Sequence, residues 1–287
     1  MVLAMLRDRL FPGRPRQTPA DPVRAASQGA SGAGAFVETC GGDHSHAGAG
    51  AFLSRFDGAP LDFLKLVGAV AMVVDHVNTV LLKYAVFDLW YVGRLAFPLF
   101  CFGLVCNLHR GADVVVYVRT LLLFGIAAQP IYGATLGDDG NILFTLAIGV
   151  ALAAALRGRP ALLQHAVFAA GIAAILTPWL KARSGVDFGI AGVLFPAALL
   201  LLLEGGRLHA VWVLCLLLTL NAHPPAGLFG TQTLVALLCA GPGSFAVLTL
   251  ALALEGRARF LPRYALHVFY PGHLLILIAL RAALPLP

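Results

Sequence analysis

Charge is scarce in this chain: Asp, Glu, Lys and Arg make up 12% of its 287 residues, against 59% hydrophobic residues and a mean hydropathy of +0.85. A soluble globular domain carries roughly 25% charged residues to keep its surface wet, so that class is excluded. Strict period-2 alternation is missing as well, which excludes a porin-like barrel with its alternately lipid-facing and lumen-facing residues. No basic stripe interleaved with aromatics is present, so the formal charge of +6 does not point to nucleic acid. The five cysteines, Cys40, Cys101, Cys106, Cys215 and Cys239, are odd in number and lack metal-ligand spacing, which argues against a disulfide framework. Four of them lie in apolar runs, where a thiol behaves as a small hydrophobe. The opening "MVLAMLRDRLF" has too short an apolar core for a cleavable leader.

What is present is a succession of apolar runs, several near the roughly 20 residues that carry an α-helix across a bilayer. Nine spans are predicted, at 61–82, 88–108, 114–133, 140–156, 161–180, 187–203, 207–221, 228–254 and 264–283. The fold class is therefore an all-α polytopic membrane bundle of about nine helices. The eighth span carries "GPG" at 241–243, which reads as a kink or as a division into two pieces. Residues 1–60, rich in Ala, Gly, Pro, Ser and Arg, read as a disordered cytoplasmic tail, and residues 61–287 as the transmembrane domain. Within the tail, "CGGDHSHAG" places Cys40, Asp43, His44 and His46 close together, a weak basis for metal, and no metal is expected.

With the N-terminus inside, thirteen basic residues face the cytoplasm and four, Lys83, Lys181, Arg183 and Arg281, face outward. The positive-inside rule supports that orientation, with Tyr84, Trp90, Tyr91 and Trp179 near the outer ends as an aromatic belt. The remaining basic residues, Lys65, Arg94 and Arg119, fall inside spans, where an ionisable group is costly unless paired or wetted. In "AVAMVVDHVNTVLL", His76 follows Lys65 by eleven residues, which at about 100° per residue returns to the same helical face. Asp75 is rotated by about 80° to 100° from that stripe, so it either orients His76 indirectly or faces a neighbouring helix. Lys65 lies near the inner end and His76 about 16 Å further out, level with Arg94, while Arg119 returns to the level of Lys65. A basic inner tier and a histidine-bearing outer tier suit an anionic carrier that enters from the cytoplasm with its reactive end directed at a general base.

Other roles fit the same residues. Lys65 and Arg119 can snorkel to the inner interface, and Asp75 with His76 can form a structural pair. "GRLAFPLF" can be a packing motif in which Gly93 permits close helix approach and Pro98 kinks the span. In "HVFYPGH", His267 and His273 lie six apart on different faces, and His273, near mid-depth, is the better candidate. His165, His209 and His223 sit near span ends and are expected to meet water.

The runs "LKLVGAVAMVVDHV", "GRLAFPLFCFGL", "YVRTLLLFGIAAQPIY", "NILFTLAIGV", "VDFGIAGVLFPAALL" and "YALHVFYPGHLLILIAL" resemble, in order, the successive motifs of the TraX family of conjugative pilin acetylases, over residues 61–281. The "DDGN" loop and "LEGG" turn resemble the TrbP conjugal-transfer branch. The resemblance implies an inner-membrane enzyme that moves an acetyl group from acetyl-CoA, as co-substrate, to the N-terminal amine of a conjugative pilin subunit, with other mating-apparatus proteins as further partners. It also implies a distant, acyltransferase-3-like relation to membrane enzymes with a basic residue and a histidine separated by ten positions in the first span. By position, His76 would be the general base, Asp75 its orienting or supporting carboxylate, Arg94 a charge stabiliser, and Lys65 a cofactor or structural contact; Arg119, at the level of Lys65, is a second candidate contact to the cofactor. His273, Tyr270, Gln129 and Asn141 are further pocket candidates. A non-catalytic scaffold of the pilus apparatus is the alternative, and a transporter a weaker one, because no internal repeat relates the halves.

Overall fold

A computed structural model describes residues 50–177, 185–222 and 230–284. The Cys40–His46 cluster, Trp179, Lys181, Arg183 and His223 lie outside the described residues. In chain order the helices are α1 (Ala59–Val80), α2 (Asp88–Gly93), α3 (Ala96–His109), α4 (Val114–Gly133), α5 (Ile142–Leu156), α6 (Ala161–Leu176), α7 (Gly189–Leu203), α8 (His209–Leu220), α9 (Thr231–Leu238), α10 (Ser244–Ala251) and α11 (Ala265–Ala283). Helices α2 and α3 form one span, as do α9 and α10, so the described residues form nine apolar helical spans, as the apolar runs predict. Five of these are 19 to 24 residues long and apolar enough to cross a membrane, and α5 to α8 are shorter apolar helices. The chain is a multi-pass membrane protein.

The two broken spans have local causes. Pro98 sits in the first turn of α3 and has no N–H to return to Arg94, so the helix of Asp88–His109 interrupts at Arg94 and Leu95. At "GPG" the chain continues rather than dividing: Cys239–Gly243 forms a π-turn around Pro242 and leads directly into α10. Caps fix other starts: the Asp113 side chain accepts from Val115 and Val116 N–H, and that of Asn141 from Leu143 N–H.

The core sits where α3, α5 and α7 meet, and the burial there is continuous: Phe97, Phe102 and Val105 of α3, Ala147 and Val150 of α5, and Phe195, Ala197 and Leu200 of α7. Lipid offers no hydrophobic drive between helices, so close backbone approach has to supply the packing. Gly149 provides it: a Cβ there would stand 2.9 Å from Pro196 Cγ. Among the described residues, packing extends ahead of α1. Leu53 and Phe56 are buried, and Phe56 meets Phe102 edge to face at 4.8 Å.

Candidate functional site

Helices α1 and α11 bring two histidines together in the bilayer interior. His76, on α1, places Nδ1 2.8 Å from Nε2 of His273, on α11. The rings are inclined by only 11° with centroids 5.0 Å apart. At that nitrogen separation the two rings meet edge to edge, in nearly one plane, along the direction in which ring lone pairs and N–H bonds point. His273 is buried, its Nδ1 lies 3.1 Å from the Phe269 carbonyl one turn earlier, and the Tyr270 ring packs 5.8 Å away.

Asp75 faces a neighbouring helix rather than His76. Its Oδ2 accepts from Arg94 Nη2 at 3.2 Å, and the two side chains are 20% and 12% exposed. Arg94, at the break between α2 and α3, also donates from Nε to the Trp90 carbonyl and covers the Trp90 ring at 4.7 Å. Gly93 makes this pair possible, because a Cβ at that position would stand 2.6 Å from the Asp75 carboxyl carbon. The expected supporting carboxylate of His76 is therefore engaged elsewhere, and His273 occupies the position beside the imidazole.

A cavity of about 430 Å³ opens at the end of the bundle that the basic residues assign to the cytoplasm. Lys65, Arg259 and Arg263 stand at its mouth, Asn107 and Tyr117 on its wall, and Met72 and Tyr270 at its depth. Met72 lies one turn before His76, and Tyr270 one turn before His273, so the cavity ends one helical turn short of the imidazoles. The mouth is built by Asp62, which is 1% exposed. Its Oδ2 accepts from the backbone N–H groups of Phe260 and Leu261, each at 3.0 Å, and its Oδ1 lies 3.5 Å from Lys65 Nζ. This carboxylate folds the loop that carries Arg259 and Arg263 against the start of α1.

The other candidates fall elsewhere. Arg119 is exposed and outside the cavity lining, where Tyr117 and Leu121 of the same helix are found. Gln129 and Asn141 are spent on each other. Gln129 Oε1 accepts from Asn141 N and Nδ2 at 3.0 and 2.8 Å, and Asn141 Nδ2 also donates to the Gly125 carbonyl, a latch between α4 and the start of α5. His165 and His209, expected to meet water, instead pack together 4.8 Å apart. Trp212 Nε1 donates to His165 Nδ1 at 2.8 Å, and His209 is 4% exposed.

Arg259, Arg263 and Asp62 were not among the sequence candidates. The two arginines read as ordinary cytoplasmic loop charge, and their signal was their place just ahead of the helix that carries "HVFYPGH". Asp187 was missed too. It lies just before α7, where its backbone carbonyl accepts from Thr145 Oγ1 at 2.6 Å and its carboxylate accepts from the Phe188 N–H.

The family model of TraX, described as TraX protein, matches residues 60–281. Protein TraX of Escherichia coli is 30% identical over 231 residues, which cover 75% of this chain and 85% of that protein. A probable fimbrial assembly protein, FimC of serogroup H1 from Dichelobacter nodosus, is 27% identical over 238 residues, 76% of this chain and 94% of that protein. No solved structure matches the chain.

Proposed function

The chain belongs to the TraX family, and from that premise and the geometry of α1 and α11 we propose that it is an inner-membrane acetyltransferase. In this reading the donor is acetyl-CoA and the acceptor the N-terminal amine of a conjugative pilin subunit. The observation that carries it is the cavity, which gathers Lys65, Arg259 and Arg263 against one acid, Asp113, is mostly apolar in its lining, and ends one helical turn short of His76. Lys65, Arg259 and Arg263 suit the phosphates of a nucleotide carrier by charge. The narrow interior suits a thin acyl-bearing arm and leaves the bulky nucleotide at the mouth. Met72 stands between the arm's end and His76, and its unbranched thioether can yield with little cost.

An ammonium has no lone pair, so the acceptor must lose a proton to attack. An α-amine with pKa of about 7.7 to 8.0 is partly neutral already, and His76 completes the task as general base. Nitrogen attacks the thioester carbon, the C–N bond forms, and the carbonyl oxygen becomes anionic. Arg94, held in place by Asp75 and Trp90, supplies positive potential to that oxygen. Collapse breaks the C–S bond, and the proton taken by His76 passes to the departing thiolate. The name of the fimbrial assembly relative supports a pilus-related partner, and the "DDGN" and "LEGG" pieces support placement in the TrbP branch.

The test is purified protein in lipid with acetyl-labelled CoA and a peptide bearing the pilin N-terminus, together with the intact mass of mature pilin from cells with and without the gene. Label on the peptide amine, and one acetyl group of added mass on the pilin, are expected. A folded protein that binds the peptide but transfers no label would leave the scaffold alternative standing.

A further inference from the structure

The hydrogen bonds around His76 decide which of its nitrogens can act, and its ring partner, His273, lies 197 residues away in the chain. A peptide carbonyl can only accept. The contact of 3.1 Å between the Phe269 oxygen and His273 Nδ1 therefore places a proton on that nitrogen. In neutral His273 the other nitrogen, Nε2, then carries a lone pair. It lies 2.8 Å from His76 Nδ1, so the shared proton belongs to His76 Nδ1. His76 Nε2 is left as the unprotonated, basic nitrogen. The opposite assignment would keep a hydrogen bond between the rings but set the bare Nδ1 of His273 against the lone pairs of the Phe269 carbonyl.

We propose that His273 is a positioning residue which holds His76 in the Nδ1–H tautomer, so that Nε2 is the atom that accepts the proton in the transfer reaction. The proposal deepens the acetyltransferase reading and rests on it for the identity of that proton. Carboxylates often orient a catalytic imidazole. Here the nearest one, Asp75, is bound to Arg94, and a neutral imidazole anchored to a backbone carbonyl does the orienting. When His76 Nε2 gains a proton, its Nδ1–H keeps the same acceptor, so the cation forms without rearrangement. A neutral orienting group also brings no further charge into the bilayer interior, where each charge is costly.

The experiment is solid-state nitrogen NMR on the full chain in lipid bilayers with ring-labelled histidine, in which protonated and unprotonated ring nitrogens resonate far apart. The His76 signals are assigned by their loss in His76→Asn. Wild type is expected to show His76 with Nδ1 protonated and Nε2 bare. His273→Phe, which removes the acceptor, is expected to move the proton of His76 to Nε2. His273→Gln, whose side-chain carbonyl can take the place of Nε2, is expected to restore the wild-type pattern. Unchanged signals from His165 and His209 show that the bundle has stayed folded. In the transfer assay His273→Phe should lose about tenfold to a hundredfold in kcat, and His273→Gln should regain most of it. A wild-type His76 protonated at Nε2, or a tautomer indifferent to His273→Phe, overturns the proposal. The expected NMR pattern in a protein that transfers no acetyl group would leave the tautomer assignment standing and remove the acetyltransferase reading instead.

Discussion

The imidazoles of His76 and His273 and those of His165 and His209 form two pairs with similar centroid separations, 5.0 and 4.8 Å. The bonding is different. In the first pair the rings share a proton directly and the chain of donors ends on one bare nitrogen. In the second, each ring spends a nitrogen outside the pair: His165 accepts from Trp212, and His209 Nδ1 lies 3.1 Å from the Gly206 carbonyl. The second pair closes a helix packing between α6 and α8 beside Phe168, whereas the first joins α1 to α11 next to a cavity. Proximity of two histidines is thus not itself a site. The neighbours that fix each proton, and the presence of space for a ligand, separate the pair proposed to react from the one that only packs.

That comparison can be broken most sharply at His76. His76→Ala, if inserted and folded, is expected to lower acetyl transfer by about 10²- to 10⁴-fold, read as initial rate on the pilin peptide. Next comes Gly93→Ala, whose Cβ would collide with Asp75 and push apart the helices that hold Arg94. It should cost about 1–3 kcal/mol in stability, read as a lower midpoint of unfolding in detergent, and an added Asp75→Ala should remove part of that cost. Neutralising the mouth with Arg259→Gln and Arg263→Gln together should raise KM for acetyl-CoA by roughly tenfold with kcat held, whereas Arg119→Gln, on the exposed face, should leave both unchanged. The smallest effect belongs to the second histidine pair: His165→Gln keeps an acceptor for Trp212 and should stay within about twofold of wild-type activity.

The spans were legible because long apolar runs leave few alternatives, and the nine helical spans follow the predicted boundaries within about four residues. The relation of Lys65 to the cavity and of His76 to its deep end was legible too, since a single helix fixes both azimuth and depth. Asp75 could be seen to point away from His76 for the same reason. What faces what between helices was not legible. The bond between His76 and His273 depends on how α1 and α11 are set against each other, which no local period records. Arg119 has the depth of Lys65 but the wrong azimuth: it lies about 200° around α4 from Tyr117, which lines the cavity. The role of Arg259 and Arg263 depends on a loop folding back, and a loop charge carries no periodic signal to announce it. Gln129 and Asn141 have the polarity expected of a pocket, but a cap position consumes Asn141 before a ligand can.

The Asp62 carboxylate has a consequence for how such a protein can diverge. It fastens the arginine-bearing loop to α1, and that loop leads directly into α11, so one buried side chain sets both the seat proposed for the carrier and the height of the second imidazole. A change that loosens this fastening shifts the two together. On the acetyltransferase reading, donor choice and proton handling are inherited as one unit, and a variant that retunes the first without disturbing the second has to act on the arginines themselves and leave their tether intact.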